Sequence, residues 1–214
     1  MLRNLIADYF ASGYSAGQAS QVFMNKYRGV VKLLKDGAVG HLPSDTIYGL
    51  SCVALNERAV ERIYQLKGRD YDKPLIILLA SVEQAPQLGV NPKDLGPVKD
   101  LWPAPLTAIT RAGQKTPELL HRGTYTLALR VPDNAELRKL ISRTGPLVST
   151  SANPQGQEPA KTLEQAKKYF GDKLDFYIDA GDLKIQPSTM VQIQNGGLKI
   201  VRQGAYEVPA NKLY

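Results

Sequence analysis

Five successive apolar residues, Leu75-Ile76-Ile77-Leu78-Leu79, follow Pro74 with no polar residue among them. A half-buried strand alternates apolar and polar positions, so an unbroken run this short reads as a strand buried on both faces. Such a strand has to be covered above and below, which points to a layered arrangement of helices and sheet. The neighbouring segments can supply the cover. Phe23, Tyr27, Val30, Val31 and Leu34 recur at helical spacing, with Gly37 as the stop. Asn56 is a ready N-cap for a helix that carries Val60, Ile63 and Tyr64 on one face and ends near Lys67-Gly68.

Further strands are predicted over 38–42 (ended by Pro43), 107–110, 126–131 and 146–149. Helices are predicted from Pro92, from Asp133 as N-cap through Leu140, and over 162–170. Two prolines stiffen Trp102-Pro103-Ala104-Pro105. Thr189 to Ile193 and Leu198 to Val201, flanking Asn195-Gly196-Gly197, form a hairpin pattern. The mixture indicates α/β or α+β, with both parallel and antiparallel pairs. At 214 residues the chain makes one domain or one domain with an added segment. The strand-loop-helix pattern starts late, so residues 1–25 read as an N-terminal extension with helical character and 26–214 as the domain proper.

Some chemistries can be set aside. Cys52 is the only cysteine and lies in an apolar stretch, so it reads as a core residue, and no intrachain disulfide or cysteine-based zinc site is possible. His41 and His121 are too few for a dedicated transition-metal cage or a hydrolase triad. Neither a Walker-type phosphate loop nor a dinucleotide-binding glycine pattern is present. No run is long enough to span a membrane, and the first ten residues lack a signal-peptide pattern, so a cytoplasmic location is the default expectation. The formal charge of +7 favours anionic partners, meaning phosphates, nucleotides or RNA.

Three segments could build an anion site. Pro43-Ser44-Asp45-Thr46 follows a predicted strand, where polar ligand contacts concentrate in α/β domains, although it also suits an ordinary hydroxyl-capped turn. Lys67-Gly68-Arg69, with Lys73 four residues on, sets cations at a helix end, where they would equally answer the helix dipole. Ser149-Thr150-Ser151-Ala152-Asn153-Pro154 puts three hydroxyls and a carboxamide where an apolar run stops. Arg130 and Arg202, each at the end of a predicted strand, are further anion partners.

Taken together, these segments resemble the YrdC-like domain of the threonylcarbamoyl-AMP synthase family. The residues that carry the resemblance are Pro43 to Leu50, Lys67-Gly68-Arg69 with Lys73-Pro74-Leu75, Trp102 to Thr107, Leu127 to Pro132, Ser149 to Asn153, Ser188 to Val191 and Val201 to Gly204. They run in the family's order from about Val30 to Ala205. The Lys-x-Arg and Ser-x-Asn elements are the most specific.

The resemblance implies a twisted, open, mixed α/β sheet with flanking helices around a basic cavity. It implies an enzyme, a nucleotidyltransferase that makes L-threonylcarbamoyladenylate and pyrophosphate from L-threonine, bicarbonate or CO2, and ATP with Mg2+. The product would feed threonylcarbamoyladenosine formation in tRNAs that read codons beginning with A. Positioning and charge stabilisation would carry such chemistry, with no enzyme nucleophile. By resemblance Thr46, Arg130 and Ser151 hold L-threonine. Lys67, Arg69, Lys73, Thr126, Asn153 and Arg202 surround ATP, Lys67 and Arg69 being the catalytic pair. The magnesium bridges phosphates and has no protein cage.

The chain departs from the family pattern at Ser44, where threonine is usual, at Gln155, where a serine is frequent, and at Leu78, sometimes a histidine in relatives. It ends at Tyr214 without the second domain of the longer form. It therefore resembles the short form, which relies on separate tRNA threonylcarbamoyltransferase proteins to use its product. Two alternatives stay open at this point: a module that binds tRNA or double-stranded RNA, and a paralogue with another carbamoyl acceptor.

Overall fold

A computed structural model describes residues 27, 29–183 and 186–214, so the expected extension over 1–25 lies outside the described residues. Among the described residues nine strands form one sheet: β1 (Gly40–Leu42), β2 (Gly49–Val53), β3 (Ile76–Leu78), β4 (Leu106–Arg111), β5 (Thr126–Arg130), β6 (Leu147–Ser151), β7 (Phe176–Tyr177), β8 (Thr189–Gln194) and β9 (Gly197–Arg202). Their order across the sheet is β7-β1-β2-β6-β3-β5-β4-β8-β9, with parallel β1–β7, β3–β5 and β4–β8 pairs and antiparallel pairs elsewhere. The fold is thus the expected mixed α/β sheet.

The apolar run that dominates the sequence is the middle strand of the nine. Its successive residues divide between two cores, as the twofold side-chain alternation of a strand requires. Ile77 and Leu79 pack with the helix α2 (Glu57–Lys67), with β5 residues Leu127 and Leu129, and with Phe170 of a later helix. Leu78 points the other way, into a smaller cluster with Tyr27, Leu34, Leu137, Leu140 and Ile141. That second face is covered by α1 (29–35) and α3 (Ala135–Thr144). The last helix, α4 (Leu163–Phe170), returns to the first face, where Ala166 and Phe170 are buried.

Local signals account for the helix ends. Asn56 Oδ1 accepts the Ala59 amide at 3.0 Å and opens α2, and Gly68 closes it in the left-handed conformation (φ 60°). Thr162 caps α4 by accepting the Gln165 amide at 3.2 Å. At the hairpin, Asn195 and Gly196 both have positive φ (50° and 78°), the pair a type I′ turn needs.

Three expectations need correction. Asn134, not Asp133, caps α3, its Oδ1 accepting the Leu137 amide at 3.0 Å, while the Asp133 amide is turned towards Asp45. The helix expected from Pro92 is two short pieces, a 3-10 turn over Pro92–Leu95 and a single turn over Gly96–Lys99. β6 runs on through Ser151, because Ser149, Thr150 and Ser151 pair with β2 and the chain does not leave the sheet there. β2 and the two-residue β7 had no clear sequence signature. Among the described residues no helix is long and apolar enough to cross a membrane.

Candidate functional site

α1 and α3 cover only part of the second sheet face. The rest is the floor of a cavity of about 580 Å3. Strand alternation decides what meets it: Thr126, Ala128 and Arg130 of β5, Ile76 and Leu78 of β3, and Ser149 and Ser151 of β6 face inward. Its rim comes from the loop after β1 (Ser44, Thr46), the loop after α2 (Arg69, Asp72, Lys73) and the start of β8 with the end of β9 (Ser188, Met190, Arg202). Arg69, Lys73, Arg130 and Arg202 set four cations against one carboxylate, Asp72, on this wall. The arrangement can take a polyanion on the rim and a small zwitterion deeper in.

Arg130 is the most enclosed of these cations, 4% exposed. Its Nη1 donates to Thr46 Oγ1 at 3.1 Å and its Nη2 to Asp45 Oδ1, while its Nε is buried with no partner in the described structure. Burial pulls its pKa down, Asp45 opposes that shift, and the nearby Arg202 adds to it. Thr46 is held by its own loop. The Ser44 hydroxyl donates to the Ile47 carbonyl at 2.7 Å and accepts the Thr46 amide at 3.1 Å. Ser44 in place of threonine therefore keeps the hydroxyl that shapes this turn.

On the rim, Arg69 is fixed by its own loop, with Nε donating to the Lys73 carbonyl at 3.0 Å and Nη2 to the Pro74 carbonyl at 3.2 Å. Lys73 Nζ sits 2.5 Å from Asp70 Oδ2, and Arg202 Nη2 donates to the Ser188 carbonyl at 2.8 Å. Gln155 donates to Asp70 Oδ2 at 3.4 Å and accepts the Asp70 amide at 3.3 Å, joining two rim loops.

Of the nine residues singled out in the sequence, the structure brings Thr46, Arg69, Lys73, Thr126, Arg130, Ser151 and Arg202 onto the cavity wall. Lys67 and Asn153 are not on it. Both are buried, and Lys67 Nζ donates to the Ser151 carbonyl at 2.5 Å and to the Asn153 carbonyl at 2.6 Å. Sequence reasoning gave no role to Asp45 or Asp72, or to the apolar floor of Ile76, Ile109 and Ala128, and marked Leu78 only as a departure from the family pattern. The alternation of 126–131 could have placed Ala128 beside Arg130. Nothing local pairs Asp45 with a residue 85 positions away.

His41 and Cys52 lie away from the cavity wall, both fully buried, and His41 stacks on Tyr48 with ring centroids 4.3 Å apart. Burial pushes the Cys52 thiol up, so it is an inert core group.

Comparison with known proteins gives this cavity a context. Residues 32–204 match the Sua5/YciO/YrdC family model, described as "Telomere recombination". The chain is 36% identical over 173 residues to a threonylcarbamoyl-AMP synthase of Marinobacter nauticus, covering 75% of this chain and 87% of that protein. It superposes on Pyrococcus abyssi Sua5 complexed with L-threonine with a TM-score of 0.76 and 32% identity, covering 84% of this chain and 54% of that one. The chain thus spans little more than half the length of that structure. On the Escherichia coli YciO crystal structure it superposes with a TM-score of 0.77 at 23% identity, a likeness of fold alone. With that fold, that span of sequence and those motifs, the chain belongs to the Sua5/YciO/YrdC family.

Proposed function

We propose that the protein is an L-threonylcarbamoyladenylate synthase, a nucleotidyltransferase acting on L-threonine, bicarbonate or CO2, and ATP. The carrying observation is one cavity that holds a deeply buried arginine with an unpartnered Nε beside a rim of three further cations. The buried arginine suits the carboxylate of an amino acid and the rim suits a triphosphate. The names of the relatives, and the threonine complex of one of them, support this reading.

In this reading Arg130, Thr46 and Ser151 hold threonine, while Arg69, Lys73, Thr126 and Arg202 hold ATP. Lys67 and Asn153 act from behind, fixing the strand end that presents Ser151. The neutral amine of threonine attacks CO2, forms an N–C bond and loses a proton. A carbamate oxygen then attacks the α-phosphorus, the bond to the β-phosphate oxygen breaks, and pyrophosphate leaves. The rim cations take up the charge that develops on the departing pyrophosphate.

Among the described residues no group of three or more histidine, cysteine, aspartate or glutamate side chains converges. A magnesium ion would come with the triphosphate and would supply neutralisation of phosphate charge. Asp72, the one carboxylate of the cavity wall, is the side chain that would hold it. The adenylate is released for transfer to tRNA by separate proteins. The test is pyrophosphate release with ATP and magnesium while threonine or bicarbonate is omitted in turn. Each omission is expected to abolish release, and release that ignores both overturns the reading.

A further inference from the structure

We infer that Asp45 is a positioning residue of the amino-acid subsite, acting through Arg130. The inference rests on the threonine reading above and adds a residue to which neither the sequence motifs nor the relatives assign a role.

Asp45 is not on the cavity wall, yet its carboxylate is 6% exposed, almost as enclosed as the Arg130 side chain at 5%. It uses both oxygens. Oδ1 accepts from Arg130 Nη2, and Oδ2 accepts the Asp133 amide at 2.9 Å. One side chain therefore ties the loop after β1 both to the end of β5 and to the loop that follows β5. Arg138 braces that second loop independently, its Nη1 donating to the Pro132 carbonyl at 2.6 Å.

The consequence falls on Arg130. A guanidinium has five N–H donors in a rigid plane. Here one terminal nitrogen is held by Asp45 and the other by Thr46, so the plane cannot rotate, and the buried Nε–H is left without a partner. A buried, unpaired donor is costly unless a ligand satisfies it. Arg130 lines the cavity, and fixing its plane preorganises the guanidinium for a carboxylate, because little rotamer entropy is left to lose on binding.

Asp45 has a second effect, on charge. It is the buried counter-ion of Arg130 and counters the repulsion from Arg202. The other carboxylate paired with a cavity cation, Asp70 with Lys73, is half exposed on the rim. The Arg130–Asp45 pair thus leaves the amino-acid subsite suited to a zwitterion, while the rim, where three cations meet Asp72 and the exposed Asp70, stays cationic for phosphate.

The experiment is a double-mutant cycle with Asp45→Asn, Arg130→Gln and the pair, reading threonine and ATP binding separately by calorimetry alongside the melting temperature. Asp45→Asn is expected to weaken threonine binding by about tenfold or more while ATP binding changes by less than about twofold. In the Arg130→Gln background the same change is expected to have no further effect on threonine, because its route has been removed. Asp45→Glu, which restores the charge, is expected to recover part of the affinity and serves in place of Asp45→Asn if that variant does not fold. Unchanged threonine binding in folded Asp45→Asn overturns the inference, as does an equal loss in both backgrounds. Wild-type protein that binds no threonine overturns the substrate reading itself, an outcome distinct from a wild type that binds and a variant that binds equally well.

Discussion

Lys67 and Asn153, 86 residues apart, form one buried unit, with the lysine ammonium 2.6 Å from the asparagine carbonyl oxygen and 3.3 Å from its Oδ1. The asparagine amide continues the chain of bonds by donating to the Pro154 carbonyl at 3.0 Å and the Gln157 carbonyl at 2.7 Å. A third bond, from Lys67 Nζ to the Ser151 carbonyl, ties this unit to the edge of the cavity. The two signature elements of the sequence therefore meet beneath the site. Lys67→Met keeps the aliphatic stem and removes the donor from these oxygens. It is expected to cost about 1–3 kcal/mol of stability in urea unfolding and to reduce threonine-dependent turnover.

The same bonds give Lys67 a pH signature. Burial first, and then the Arg69 charge, lower its pKa from 10.5 to about 8. The ammonium can serve all of its acceptors, whereas a neutral amine turns a lone pair towards one of them. Turnover is expected to fall as pH rises through about 8. Stability has the opposite sign. Between pH 8 and 10.5 the unfolded chain holds a proton that the native lysine has shed, so Lys67 makes the fold more stable as pH rises across that window. A rate profile and a denaturation series from neutral to alkaline pH separate the two effects, and loss of stability in step with loss of turnover sinks this assignment.

His41 acts at the other end of the pH scale. Both ring nitrogens are buried, and burial lowers the pKa from 6.5 to about 4 against the opposing pull of the Ile178 backbone and the Asp179 charge. As pH falls below 6.5 the unfolded chain takes up a proton that the native ring refuses until about pH 4. Stability is therefore lost over that window, by about 3 kcal/mol in all. His41→Phe retains an aromatic ring against Tyr48 and is expected to flatten this slope, measured by urea unfolding at neutral and mildly acidic pH. A slope that persists in the variant assigns the acid sensitivity to other groups.

Two glycines should respond to alanine in opposite directions. Gly29 lies in α1 outside the left-handed region and a Cβ added there meets nothing within 4 Å, so Gly29→Ala is expected to raise stability by about 0.4–1 kcal/mol through the unfolded chain. Gly89 has φ +76° and an added Cβ would lie 2.6 Å from the Thr116 amide nitrogen, which is backbone and cannot step aside. Gly89→Ala is expected to lose more than about 1 kcal/mol, and thermal unfolding of the pair checks both signs.

What the sequence disclosed follows the range of the forces involved. Caps at Asn56 and Thr162, the left-handed stop at Gly68 and the Asn195-Gly196 turn are local and were readable residue by residue. The unbroken run over 75–79 announced a two-faced strand, and it is the middle strand of the sheet. β2 was hidden because Ser51 and Gly49 interrupt its apolar pattern, and the short β7 is defined mainly by its partner Gly40-His41. At the site the cations were visible as residue types, but their depths were not. Lys67 looks like an exposed helix end in sequence and is 4% exposed, because the 151–153 segment folds over it from a distance. Asp45 has no local signal of its pairing at all.

The rim carries the last prediction. Lys73, one of the cations facing the cavity, is held at 2.5 Å by Asp70, whose carboxylate also takes a bond from Gln155. The Lys73 contact is the leading cause of the lowered Asp70 pKa, so the two charges do sense each other. Asp70 is well exposed, however, and an exposed pair is easily traded for water or for another anion. If Lys73 has to leave Asp70 to meet a triphosphate, removing the carboxylate charge makes that step easier. Asp70→Asn is then expected to lower the KM for ATP by no more than about fivefold, with the threonine KM unchanged. The gain should shrink as salt is raised, because screening already weakens the Asp70–Lys73 pair in the wild type. Steady-state kinetics at two ionic strengths decide the matter, and a raised ATP KM in Asp70→Asn would show that Asp70 places Lys73 for the phosphates.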